Sequence, residues 1–172
     1  MFDRISKISP ARLRNFVFGV EDSVVSTVGF LSGIAAAGAD RGTIFLNGIV
    51  LIFVEAFSMA VGSFLSERSA EEYAARSEVS AAGPIRDSIV MFFSYFISGF
   101  VPLFPYFIAP VSIAFWLSIV LSLLILFILG VGGARLSRLR GMRRGIRMLL
   151  VGGAAIAIGI LVGKITRPPS GL

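Results

Sequence analysis

Two acids lie inside long apolar runs: Asp22 in "NFVFGVEDSVVSTVGFLSG" and Glu55 in "GIVLIFVEAFSMAVGSFLSE". Glu21 stands beside Asp22, and neither run holds a Lys or Arg to neutralise an acid near its centre. At bilayer depth an ionisable side chain costs ~2.5–3.5 kcal/mol even on the gentler insertion scale, so such residues mark functional sites by default. One helical turn beyond Asp22 is Ser26, and one turn beyond Glu55 is Met59. Two carboxylates with a thioether make a cation site of mostly hard oxygen with one soft ligand. The sulfur tilts preference from Mg²⁺ or Ca²⁺ towards a first-row ion such as Fe²⁺. A carboxylate also takes a proton, so metal and H⁺ compete for one place, which is the physical basis of exchange. Ser26, Ser58 and Asn47 can add oxygen ligands along the route, and Glu67 and Glu71 attract cations at its mouth.

Each residue also has a plainer reading. Met59 alone reads as gap-filling in an apolar helix. Glu55 alone reads as a protonated group bonded across a helix interface. Glu21 and Asp22 face about 100° apart on a helix, and Asp22 shares its face with Ser26.

The elements that must position these groups are membrane spans. Of 172 residues, 56% are hydrophobic and only 15% charged, against roughly 25% charged in soluble domains. The fold class is an all-α integral membrane protein of one transmembrane domain. Five spans are expected near residues 16–37, 43–65, 85–104, 111–131 and 148–165, each close to the ~20 residues that cross a bilayer. Residues 1–15 place Phe2, Ile5 and Ile8 at helical spacing against Asp3, Arg4 and Lys7, which predicts an interfacial helix. It does not read as a cleavable signal, because the following run is too long and holds two adjacent acids. Pro102, Pro105 and Pro110 punctuate the link between spans three and four.

Basic residues orient the chain. Arg4, Lys7, Arg12 and Arg14 precede the first span, and Arg135, Arg138, Arg140, Arg143, Arg144 and Arg147 precede the fifth without an acid. The first-to-second link has only Arg41, and the third-to-fourth none. This predicts N-in/C-out. The second-to-third link alternates sign, as in Arg68, Glu72 and Arg76, and is expected to continue the second helix to about Gly83-Pro84. Arg86 and Asp87 fall at a membrane border.

At a ~1.5 Å rise per residue, Asp22 and Met59 lie roughly 9 Å deep, and Ser26 and Glu55 roughly 15 Å. That predicts two layers if the first two spans are neighbours, Asp22 with Met59 and Ser26 with Glu55. The pairs Gly29/Gly33, Ser58/Gly62 and Gly159/Gly163, each four apart, allow close helix approach or a dimer seam.

The chain has no Cys and no His, which removes disulfides, thiolate sites and the imidazole switch. The net charge of +6 is explained by topology, so no nucleic-acid partner is expected. No nucleophile–base pair is visible, and an enzyme is not expected.

"NFVFGVEDSVVSTVGFLSGIAAAG" and "EAFSMAVGSFLSERSAEEY" resemble the vacuolar iron transporter family. The shared pattern is a first-helix acid followed by small and hydroxyl residues, then Ser-Met-x-x-Gly and a Ser-rich end. Here it falls on Asp22, Ser58, Met59, Gly62 and Ser66. The resemblance implies an all-α homodimer with a path between the copies, which moves Fe²⁺ or Mn²⁺ out of the cytosol in exchange for H⁺. It places Asp22 and Met59 at intramembrane metal-handling positions. Many members carry a Glu-rich, three-helix domain between spans two and three. This chain lacks it and resembles the short, prokaryotic-type branch. The expectation is a metal/proton antiporter of a prokaryotic plasma membrane, with no resident cofactor and with anionic lipid at Arg135–Arg147. The rivals are a passive divalent-cation channel and a non-transporting membrane scaffold.

Overall fold

In a computed structural model, residues 9–136 and 141–166 are described, and among them five helices form one bundle. They are α1 (Pro10–Ala36), α2 (Arg41–Ala75), α3 (Ala82–Ile108), α4 (Val111–Leu136) and α5 (Gly141–Thr166). All five are long and apolar enough to cross a membrane. Residues 10–15, assigned from sequence to an interfacial helix, are the first turns of α1. Residues 1–8 of that segment, with Arg4 and Lys7, lie outside the described residues, as do Arg138 and Arg140.

The local chemistry explains the boundaries. Ser9 caps α1 by accepting from Arg12 N at 3.2 Å, with Pro10 at the first helical position, where a missing N–H costs nothing. The chain turns at Gly38, whose φ of 92° suits glycine. Asp40 then caps α2, accepting from Thr43 N at 3.1 Å and from the Thr43 hydroxyl at 2.6 Å. Arg41 and Gly42, read from sequence as part of the turn, are already helical.

At 35 residues α2 is roughly 52 Å long, well beyond the ~30 Å hydrocarbon core. Its last turns project past the span, as the alternating charges predict, and Arg68 Nε donates to Glu72 at 2.8 Å. The helix ends at Ala75 rather than at Gly83-Pro84, with Arg76 in the left-handed conformation. Gly83 and Pro84 instead fall in the first turn of α3, where a proline displaces no helical hydrogen bond.

The prolines assigned to the third link are also placed differently. Pro102 and Pro105 lie inside α3, which membrane helices tolerate when neighbouring groups satisfy the backbone. Ser118 of α4 donates to the Pro102 carbonyl at 2.7 Å. Only Ala109 and Pro110 separate α3 from α4.

The inner helices are α1 and α3. In their most apolar stretches 44% and 50% of residues are buried, against 22% in each of α2, α4 and α5. α1 packs mainly on α5 and α3, and α2 on α3, with a smaller contact between α1 and α2. Glycines set the α1–α5 spacing. A Cβ on Gly159 would run into the Gly29 carbonyl, and one on Gly163 into the Gly33 carbonyl. Two of the three small-residue pairs thus form one seam within the chain. The third differs: Gly62 has nothing within 4 Å of its absent Cβ, and Ser58 is exposed.

Candidate functional site

The acids converge beside α3. Asp22 of α1 and Glu55 of α2 are both half-buried, and the Glu55 charge reaches Asp22. Both also act on the phenol of Tyr95, a residue of α3 with 0% exposure. Ser26 Oγ and Tyr95 Oη meet at 2.7 Å, and Ser23 Oγ donates to the Tyr95 carbonyl at 2.6 Å. The absence of a side chain at Gly99 makes room: a Cβ there would sit 2.9 Å from Ser23 Oγ and 2.8 Å from Ile52 Cγ1. Two carboxylates and the hydroxyls of Ser23, Ser26 and Tyr95, all oxygen, therefore gather at the α1–α2–α3 junction.

The register departs from the two layers inferred from sequence. Asn15 Nδ2 donates to Ser63 Oγ at 2.9 Å. With α1 and α2 antiparallel, this puts Met59 level with Gly19 and Glu55 level with Ser23. Asp22 thus pairs with Glu55, Ser26 with Tyr95, and Met59 lies about one turn nearer the N-terminal end of α1. The shift arises because α1 begins before, and α2 ends beyond, the apolar residues that mark the spans in the sequence.

Met59 faces a cavity of about 600 Å³ whose lining also holds Ser58, Ser63, Asn15 and Met91. Met91 is 2% exposed. The cavity therefore offers two thioethers and several hydroxyls, where the sequence suggested one sulfur. The signal for Met91 and Tyr95 was present in α3: Met91, Ser94, Tyr95 and Ser98 recur at i, i+3, i+4 and i+7, the spacing of one helical face.

Glu67 and Glu71 line a separate cleft of about 430 Å³ with Arg14 and Ser66, on the projecting part of α2. Glu67 Oε2 is buried without a hydrogen-bond partner, and its carboxyl lies in range of Asp87 and Arg14. Asp87 is more than a border residue. It is 5% exposed, accepts from Arg12 Nε at 3.0 Å, and offers its carbonyl to Asn15 Nδ2 at 3.1 Å. Asn15 thus ties α1 to both α2 and α3. Asn47 stays apart: its Nδ2 donates to the Thr43 carbonyl at 2.8 Å, two turns from Glu55. Among the described residues no three acids cluster into a ready metal cage, so a cation at Asp22 and Glu55 would need hydroxyls, water or a second chain to complete its shell.

Apolar helices with acids and hydroxyls gathered between them define an integral membrane protein that holds polar groups at membrane depth. The VIT family model matches residues 13–81 and 74–164, and the chain belongs to that family, the vacuolar iron transporters. The matched stretches meet over 74–81, at the connection from α2 to α3. The family assigns the chain to membrane metal-ion transport. No curated protein matches it.

Proposed function

We propose that the protein carries Fe²⁺ or Mn²⁺ out of the cytosol in exchange for protons, as a homodimer in a prokaryotic plasma membrane. The observation that carries this reading is the approach of Asp22 and Glu55 beside the Ser26–Tyr95 pair, in a chain of the VIT family. The excess of Lys and Arg at the N-terminus and before α5 supports N-in/C-out. In that orientation, metal enters at the Glu67–Glu71 cleft and passes the thioethers of Met59 and Met91. It then reaches Asp22 and Glu55, where protons from outside neutralise the carboxylates and release it.

The dimer is supported by the outward face of α2. Ser58, Gly62 and Ser66 recur there at four-residue spacing and are exposed. Small residues favour close helix approach, and a second copy could supply the ligands that Asp22 and Glu55 lack.

The test is Fe²⁺ flux into proteoliposomes with and without a proton gradient, for the native chain and Glu55→Gln. Flux that follows the gradient and collapses in the variant is the expected result. Flux indifferent to the gradient would mean a channel. No flux of any divalent ion through folded, dimeric protein would mean a scaffold.

A further inference from the structure

A third polar cleft lies where α1 faces the start of α5, and it shares Arg14 and Phe18 with the Met59 cavity. It has a volume of about 370 Å³ and is lined by Arg14, Leu13, Val17, Phe18 and Glu21 of α1 and by Arg144 of α5, among others. We propose that this cleft binds the phosphodiester headgroup of an anionic membrane lipid, with Arg14 and Arg144 holding the phosphate.

Charge is the first support. Among the described residues the salt bridges are Arg12–Asp87 and Arg68–Glu72, and neither Arg14 nor Arg144 takes part in one. Glu21 is the one acid in the cleft, and the Arg144 charge acts on it. Arg14 also lies in range of Glu67, so Arg14, Arg143, Arg144 and Arg147 stand against Glu21 and Glu67 and leave the neighbourhood cationic, as an anionic phosphodiester requires. Arg143 and Arg147 flank the site on exposed positions of α5, and residues 135–147 contain no acid. A guanidinium offers a fork of N–H donors suited to phosphate oxygens.

Position is the second. Arg14 is in the second turn of α1, and Val17 and Phe18 lie one turn further into the span on the same side. Phe18 is 47% exposed. The cleft therefore sets an apolar wall of Val17 and Phe18 beside its guanidiniums, as a phosphate carrying an acyl chain needs, with Glu21 one turn deeper and within range of Arg144. Inorganic phosphate has nothing to place against that apolar wall. Basic pockets between helices at the cytoplasmic side of membrane proteins bind anionic headgroups in this manner. The sequence pointed to lipid only at Arg135–Arg147; the cleft draws in Arg14, from the other end of the chain, and selects Arg144.

Native mass spectrometry of the full chain, purified with equal phosphatidylglycerol and phosphatidylcholine, tests the site without any transport readout. The expected result is one tightly retained phosphatidylglycerol per chain, weakened about tenfold or more in Arg14→Ala/Arg144→Ala. Arg143→Ala should keep it, and millimolar inorganic phosphate should not displace it. Arg14→Lys/Arg144→Lys keeps the charge and guards against misfolding; it should bind between the native chain and the alanine variant. Equal retention of both lipids, or unchanged retention in the alanine variant, would overturn the proposal. So would displacement by inorganic phosphate, which would make the cleft a simple anion site. Unchanged retention together with loss of the dimer would mean that a second copy covers the cleft.

Discussion

Ser26 Oγ and Tyr95 Oη lie 2.7 Å apart, and this bond fixes a fully buried phenol within range of both Asp22 and Glu55. Tyr95 is the residue through which α3 enters a site that otherwise belongs to α1 and α2.

Tyr95→Phe keeps the ring and removes the hydroxyl. One hydrogen bond is lost, worth about 1 kcal/mol net, and Ser26 keeps a long contact to the Ser23 carbonyl at 3.4 Å. The variant should fold with a slightly lower melting point. If the hydroxyl helps position the carboxylates, the pH dependence of metal flux should shift while protein yield holds. An unchanged profile would reduce Tyr95 to packing.

Met91→Leu tests the second sulfur. The change nearly conserves volume, so it should cost less than about 1.5 kcal/mol. With Met59 and Met91 facing one cavity, loss of a thioether should lower flux of Fe²⁺ more than that of the harder Mn²⁺. Competition assays with the two ions read this ratio directly, and a proportional loss of both would assign the sulfur to packing alone.

What the sequence made legible follows from what each signal measures. Hydropathy reports burial in lipid, so five spans and the projecting end of α2 could be read directly. Pro102 and Pro105 were misplaced because local propensity assigns them to a link, while a bilayer and the packing of α4 keep α3 helical through both. The acids announced themselves by their cost in lipid, so Asp22 and Glu55 were visible. Their pairing was not, because a one-turn error in either border changes every partner. Tyr95 and Met91 are ordinary residues in an apolar run. Their spacing puts them on one face of α3, but only the fold shows that this face meets α1 and α2.

Gly159 of the α1–α5 seam and Gly62 of α2 should respond to alanine in opposite ways. Gly159→Ala would push a Cβ into the Gly29 carbonyl, a backbone atom that cannot swing aside as a side-chain tip can. It should destabilise by about 1–3 kcal/mol, the usual range for overpacking. Gly62→Ala meets nothing within 4 Å in the single chain and gains up to about 1 kcal/mol in helix propensity. Melting curves of the two variants should therefore move in opposite directions. If Gly62→Ala instead weakens the dimer with little effect on the single chain, the α2 face is where the copies meet.

Asp40 provides a pH test that lies outside the spans. Its side chain accepts from the Thr43 hydroxyl and the Thr43 N–H at the start of α2. These two bonds, the hydroxyl first, hold its carboxyl below the ordinary carboxylate range. A group whose folded pKa is depressed contributes stability above its unfolded pKa, about 3.9 for Asp. That contribution disappears as pH falls through the lower folded value. Asp40→Asn retains an acceptor for the cap but has no charge to lose. Between about pH 5 and pH 2, the melting point of the native chain should therefore fall more steeply than that of Asp40→Asn. The two curves should run parallel above that window. Parallel curves throughout would show that the cap works through geometry and owes nothing to ionisation.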